Sequence, residues 1–310
     1  MEITELIHDP SSSLPDFKPD LFIAGSGYES RSTCIPSRFK DPGIRNLVIA
    51  FKECQKVLYR KENDQYYTDR EYEFMITSGD KAPAFEKVFE NLESSTPKVM
   101  VDISVMPRHW YHSLLKYLHL SAPFKKVHLR IVYCPALFFE PAAYRRKIAF
   151  RWLNMNDAPY RKPGKEKDLF MLHGLGSEKG LGNLLFEKLK PNHIRLLYAD
   201  PAIHKSYVET VFVGNHRLIN QTDIRNLVPY PLMDTKTLYR TMLDHILPAR
   251  NEHKVVIVPQ GPKIFSMIAM ILQLNYPDIN IVYPHYISSH IIDKKPFSEQ
   301  LLLDIVFEAD

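Results

Sequence analysis

The 310-residue sequence is sparing with cysteine. It has three, Cys34, Cys54 and Cys134, odd in number and widely spaced. No CxxC dyad is present, so neither a zinc knuckle nor a local redox dithiol is encoded, and the thiols read as buried or incidental in a reducing compartment. Long apolar runs are missing too. The longest, Ile264 to Leu274, is too short for a bilayer, and the stretch from Met1 to Phe17 lacks the basic segment and apolar core of a signal peptide. A cytoplasmic protein with no membrane partner is expected. There is no GxxxxGK[ST] loop, which argues against a P-loop NTPase, and no GxSxG elbow. Cys34 has no identifiable histidine partner in the sequence, so covalent catalysis has no direct support. Nor is there a strong charge excess. The formal net charge is +4, too little for a protein that grips long nucleic acid by neutralising phosphates, and better suited to a small anionic ligand.

What is present is length for about two domains and an ordinary 45% of hydrophobic residues. Laid against itself at an offset of roughly 150 residues, the chain repeats four segments in one order. Asp20 to Gly27 matches Asp168 to Gly176, each an apolar run ending in a glycine turn. Ile44 to Phe51 matches Ile194 to Asp200. Lys98 to Arg108 matches Lys254 to Lys263, a strand running into a proline and a cation. Val127 to Pro135 matches Ile279 to Pro284, with Ile-Val-Tyr in both.

Helical patterns lie between these strands, over Ala82 to Leu92, His109 to Leu120, Lys236 to Leu247 and Ile264 to Leu274. Strands alternating with helices predict parallel pairing through right-handed crossovers. The expected fold is therefore α/β, with two tandem Rossmann-like halves, mostly parallel sheets and internal duplication as a pseudo-dimer. Residues 1–135 form the first half and 168–310 the second. Between them, 136–167 is read as a linker, with Pro141, Pro159 and Pro163, the cluster Arg145, Arg146, Lys147 and Arg151, and a helix around Ala142 to Asn154.

In open parallel sheets ligands bind beyond the carboxyl ends of the strands, where helix N-termini present free N–H groups. The polar candidates all fall there. Gly25, Ser26, Gly27, Glu29 and Arg31 follow the first strand of one half; Gly174, Gly176, Ser177 and Glu178 follow that of the other. Glycine there permits positive φ and close backbone approach, so that amides can cradle an anion. Tight strand-to-helix turns are the alternative reading. Neither loop is a full dinucleotide fingerprint, and no cofactor is expected. After the third strand, Asp102 can orient a ribose hydroxyl or cap the helix, Ser104 can donate to phosphate, and Arg108 can take a phosphate bidentately. The second half offers Gln260 for a base edge, with Gly261 and Lys263 beyond it.

The step Asp102-x-Ser104-x-x-x-Arg108 resembles the [DN]-x-[ST]-x-x-x-[RK] signature of CARF domains, CRISPR-associated Rossmann folds that sense cyclic oligoadenylates. The loop from Gly25 to Arg31 lies where that family carries its other ligand loop. The resemblance implies ligand contacts from Ser26, Glu29, Asp102, Ser104 and Arg108. In the second half only Gly261 and Lys263 resemble the family's Gly-Gly-x-Lys ending. Two such halves in one chain also resemble SAVED domains, fused pairs from antiphage signalling.

Other constellations are open to two readings. His109 and His112 have a metal-capable helical spacing, but no third ligand is visible nearby, and a core-edge helix accounts for them. Asp200 to His204 reads as an acid on a ribose or as a helix cap. Tyr59 to Tyr67 mixes charge and aromatics, and reads as a base-stacking surface or a solvated face. Three functions follow. One is a sensor that holds a cyclic or linear oligonucleotide, or a similar nucleotide, between the halves and signals to an effector protein, since Phe297 to Asp310 is too short to be an effector. Another is a nucleotide-processing enzyme, cleaving a phosphodiester with Arg108, Lys263 and Ser26 or Ser104, or an N-glycosidic bond with Glu29 or Glu178. The third is a structural subunit of a larger assembly.

Overall fold

The computed structural model describes residues 1–7, 13–39, 43–138, 148–155, 168–286 and 291–309. The chain divides into two compact units: Met1–Leu137 with Ile291–Asp310, and Phe138–His290. The first runs β1 (Glu2–Ile7), β2 (Leu21–Ser26), a 3-10 turn (Ser30–Thr33), α1 (Cys34–Arg38), β3 (Arg45–Phe51), α2 (Arg60–Thr68), β4 (Glu73–Thr77), α3 (Phe85–Phe89), β5 (Lys98–Asp102), α4 (Arg108–Leu120) and β6 (Lys126–Tyr133). The second holds β7 (Ile148–Leu153), β8 (Leu169–Gly174), α5 (Leu181–Leu189), β9 (His193–Ala199), α6 (Lys205–Gly214), α7 (His216–Asn220), β10 (Leu227–Tyr230), α8 (Thr235–Glu252), β11 (Lys254–Pro259), α9 (Lys263–Asn275) and β12 (Asn280–Tyr286). Strand β13 (Leu301–Glu308) returns to the first unit.

Each unit is a mostly parallel sheet with helical connections. The first sheet is ordered β1-β13-β6-β5-β2-β3-β4 and the second β10-β9-β8-β11-β12-β7. Strands β2 to β6 pair in parallel, as do β8 to β12, while β13 and β7 add on antiparallel. The central strands β2 and β8 are buried at every position, as expected of continuous apolar strands covered on both faces. Each of the eight segments matched in the sequence contains all or most of a strand of one of these two sheets. Edge strands are shorter or more polar: β4 exposes Phe74 and Ile76, β10 carries Pro229, and β1 carries Glu2 and Glu5 with a bulge between Ile3 and Glu5. Such features blunt an edge against further pairing. Helix α9 is apolar all round, and every side chain from Ile264 to Leu274 is buried. Among the described residues no helix is long and apolar enough to cross a membrane.

The structure corrects two sequence expectations. The last residues, read as part of the second half, return to the first sheet, because β13 matches β6 in both pattern and charge. Leu301, Leu303, Ile305 and Phe307 are buried on one face, and Asp304 and Val306 are buried on the other. Asp304 lies opposite Arg130 in register and receives two bonds from its guanidinium, at 2.6 and 2.7 Å, while Glu308 opposite Lys126 pairs at 2.7 Å. Opposite charges facing each other fix the register, since a slip of one residue would send the whole apolar set to the wrong face. The second correction concerns the linker helix. Residues 148–153 form strand β7, with Ile148, Phe150 and Trp152 packed on one side against the core. That period of two overrides the helical reading. Residues 142–147 of the expected helix, and Pro141, Pro159 and Pro163, lie outside the described residues.

Candidate functional site

In each sheet the strand order reverses between two central strands, β2 and β5 in the first, β8 and β11 in the second. Crevices for ligands form beyond the carboxyl ends of such a pair. The loops singled out in the sequence follow these four strands.

In the first unit, β2 ends at Ser26 and β5 at Asp102. The two loops lie against each other because Gly25 has no side chain: a Cβ there would come within 2.9 Å of Val105 Cγ2. Close approach, and not positive φ, is what this glycine supplies; among the described glycines only Gly180 has a positive φ. The loop after β2 is then gripped by one face of α2. Ser26 Oγ donates to Asp64 Oδ1 at 2.6 Å, and Arg60 Nε donates to the same carboxylate at 2.8 Å. Asn63 Nδ2 donates to the carbonyls of Gly27 and Glu29, at 2.8 and 3.0 Å, and Tyr67 Oη donates to Ser32 O at 2.7 Å. Positions 60, 63, 64 and 67 share a helix face. The segment Tyr59 to Tyr67 is therefore neither a stacking surface nor a solvated face on this side: Arg60, Asn63 and Tyr67 are buried and shape the site.

Charges inside the loop are paired. Arg31, only 2% exposed, donates from Nε to Glu29 at 2.6 Å and from Nη1 to Cys134 O at 3.0 Å, and Lys294 Nζ lies 3.8 Å from Glu29. Ser30 holds a carboxylate: its N–H donates to Asp293 Oδ1 at 2.7 Å and its hydroxyl to Asp293 Oδ2 at 2.9 Å. After β5, Asp102 Oδ1 accepts from the N–H of Ser104 at 2.9 Å and also from its hydroxyl, and Ser104 Oγ in turn accepts from Cys134 N–H at 2.8 Å. Asp102 thus closes a turn and, through Ser104, ties β5 to the end of β6. It does not cap the helix, whose N-cap position is Pro107. The donors of Ser26 and Ser104 are spent on carboxylates and both residues are fully buried, so neither presents a hydroxyl to a phosphate. Arg108 is the first residue of α4, half-buried.

The second unit builds a different network on the same plan. A Cβ on Gly174 would meet the Phe265 ring at 2.6 Å, and one on Gly176 would meet Gln260 O at 2.8 Å. Gln260 does not offer a free amide to a base edge: its Oε1 is 3.0 Å from His173 Nε2, and its Nε2 donates to Glu178 at 3.3 Å. Burial holds the His173 pKa down at about 4, so the ring is neutral at physiological pH. Asn215 Nδ2 donates to Gly176 O at 2.8 Å and fixes the loop. Ser177 and Lys263 are half-buried, Gly261 is buried, and Lys263 opens α9 as Arg108 opens α4. Asp200 is exposed, and the cap of α6 is His204, which accepts from Ser206 N–H at 3.2 Å.

His109 and His112 are buried on α4. One group of metal-capable side chains comes together among the described residues, Asp168, His193 and His253, with ligand atoms within 4.8 Å of one another. It sits at the opposite edge of the second sheet, where β8, β9 and β11 begin. A cavity of about 620 Å³ lined by Phe89, Tyr117 and Phe124 lies between α3 and the end of α4, likewise away from the strand-end loops. Sequence reasoning did not single out His173 or Asp293, and read Arg60, Asn63, Asp64 and Tyr67 only as part of the Tyr59 to Tyr67 stretch; the helical spacing within α2 could have flagged these four.

Neither a protein-family model nor a curated protein matches the chain. Among solved structures it is similar to the ferredoxin reductase in carbazole 1,9a-dioxygenase (FAD apo form), at 14% identity and a TM-score of 0.21, covering 38% of this chain and 33% of that one. The chain thus spans about a third of that protein's length. It is also similar to the cytoplasmic domain of a prokaryotic cation chloride cotransporter, at 8% identity, coverage of 86% and 95%, and a TM-score of 0.27. A third is Haemonchus contortus phosphoethanolamine N-methyltransferase 1, at 7% identity, coverage of 95% and 90%, and a TM-score of 0.24. Likenesses this low carry no argument about function.

Proposed function

We propose that the protein is a binding module for a phosphate-bearing, nucleotide-derived ligand, a cyclic or linear oligonucleotide, taken at the strand-end edge of its first unit. The observation that carries this reading is the grip of Ser30 on Asp293. A backbone N–H and a hydroxyl, in the loop that follows a switch-point strand, already hold an anionic group of the chain itself. Two phosphate oxygens fit the same pair of donors. A ligand would enter by displacing that carboxylate, with Arg108 at the start of α4 as its charge partner. Gly25 lets the two loops approach closely, while Ser26, Asp102 and Ser104 hold them in place.

The two units are read as duplicates, since five parallel strands lie in the same spatial order in each and an antiparallel strand pairs beside the fifth. With the CARF-like step at Asp102 to Arg108, this supports a sensor subunit in antiphage or CRISPR-linked signalling that acts through an effector protein. Binding is favoured over turnover because the hydroxyls proposed to position an attacking group are buried and donate to Asp64 and Asp102. The test is thermal unfolding of the full chain against cyclic and linear oligoadenylates and mononucleotides, with product analysis. A ligand that binds the native state raises the midpoint. A shift lost in Arg108→Ala with ligand recovered intact supports the reading; a consumed ligand makes the protein an enzyme, and no shift with any nucleotide rejects the reading.

A further inference from the structure

Two sulfur atoms meet beside the loops of the first unit. Cys34 opens α1 and is half-buried; Cys134, just past β6, is buried. They are 100 positions apart in sequence, yet their Sγ atoms are 3.4 Å apart, with the Cys134 thiol donating to Cys34. A disulfide needs about 2.0 Å.

The surroundings give the two thiols different characters. The bond from Cys134 lowers the Cys34 pKa below the ordinary thiol value, with Arg38 and Arg31 working in the same direction against burial and Asp102. Thiolate is the reactive form, and an ordinary cysteine reaches it only near pH 8.5. Cys134 moves the other way, raised by the same bond and by burial. The pair therefore has an accessible member that ionises early and a covered member that stays protonated. Cys54 is exposed and serves as an internal comparison.

We propose that Cys34 and Cys134 form a reversible dithiol–disulfide site that takes a peroxide as its oxidant, with Cys34 the attacking thiol and Cys134 the resolving one. The Cys34 thiolate attacks one peroxide oxygen and the O–O bond breaks. Hydroxide leaves, takes up the proton that Cys34 released, and becomes water, leaving Cys34 as the sulfenic acid. The Cys134 sulfur then attacks the Cys34 sulfur and the S–O bond breaks. The departing oxygen takes the Cys134 proton and leaves as a second water. Two thiols and one hydrogen peroxide become one disulfide and two waters. Through Cys134, whose N–H donates to Ser104 and whose carbonyl accepts from Arg31, the bond would tie the Ser30 to Arg38 segment to the end of β6. Any effect on ligand affinity rests on the function proposed above; the oxidation does not.

The experiment exposes reduced full-length protein to hydrogen peroxide and analyses its peptides by mass without reduction. The expected product is one linked pair, Cys34 to Cys134, lighter by two hydrogens and separated again by dithiothreitol, with Cys54 outside the link. In Cys134→Ser, Cys34 should stop at the sulfenic acid and be captured by dimedone; in Cys34→Ser, Cys134 should stay reduced at the same exposure. Linkage mainly through Cys54, or passage of wild-type Cys34 to the sulfinic acid with no link, overturns the proposal. The wild-type result needs no variant to fold. Because no ligand enters the readout, failure here leaves the proposed binding function standing, and failure of nucleotide binding leaves the dithiol standing.

Discussion

The hydroxyl of Ser26 donates to the carboxylate of Asp64, 38 positions away, at 2.6 Å, and the same carboxylate neutralises the buried Arg60. One side chain thus couples the end of the central strand β2 to the helix that shapes its loop. Asp64→Ala is expected to cost about 2 kcal/mol, less than a fully buried pair because Asp64 is a third exposed. Ser26→Ala should cost about 1 kcal/mol, and the double variant less than the sum. Urea unfolding of the three variants checks this; strict additivity would mean that the two residues act separately.

Arg130 and Asp304 lock β13 to β6. Burial pushes the Asp304 pKa up, but the bonds from Arg130 and His128 outweigh it and hold the carboxyl below its usual value. A depressed acid contributes stability above its unfolded pKa, about 3.9, and that stability is lost as pH falls through the folded value. Asp304→Ala should lose about 3 kcal/mol at neutral pH by leaving Arg130 unpaired, and Arg130→Met with Asp304→Leu should recover most of it. An acid titration of stability in which Asp304→Ala parallels the wild type below pH 4 would refute the assignment.

His173 titrates in a separate window. Its folded pKa, about 4, lies below the unfolded 6.5, so between these values the unfolded chain binds a proton that the native chain does not. Stability should fall by roughly 3 kcal/mol from pH 6.5 to 4 through this residue. His173→Gln should flatten that slope, as read by denaturant midpoints at pH 7, 6 and 5. An unchanged slope would show that the proton is taken elsewhere.

Gly174→Ala would place a methyl group 2.6 Å from the fully buried ring of Phe265 on α9. A cost of about 1–3 kcal/mol is expected from overpacking. Phe265→Leu should rescue it in part, and a neutral Gly174→Ala would mean that α9 yields easily.

Much of this was legible in the sequence, for a physical reason. Strands such as Leu21–Ser26 and Val255–Val258 are apolar throughout because both faces are covered, and the cations Arg108 and Lys263 do stand where their helices begin. What stayed hidden depends on contacts distant in sequence. Strands β4 and β10 are only five and four residues long and half-exposed, and the apolar run of β13 does not by itself say which sheet it joins; that is set by Asp304 facing Arg130. Arg60 and Asp64 look like an ordinary surface pair until Ser26 reaches the same carboxylate. No spacing rule would join Cys34 to Cys134, or place Asp293 on Ser30. That Ser26 and Ser104 donate to Asp64 and Asp102 was not visible either, because a sequence lists donors without showing what they already bind.

The most direct test of the account is calorimetric titration of a cyclic oligoadenylate into the wild type and into Asp293→Ala. If phosphate takes the place of the Asp293 carboxylate on Ser30, removing that carboxylate should tighten binding by about tenfold, the equivalent of 1.4 kcal/mol of competition released. Equal affinity in the two proteins, or no heat in either, would contradict the placement of the ligand on this loop.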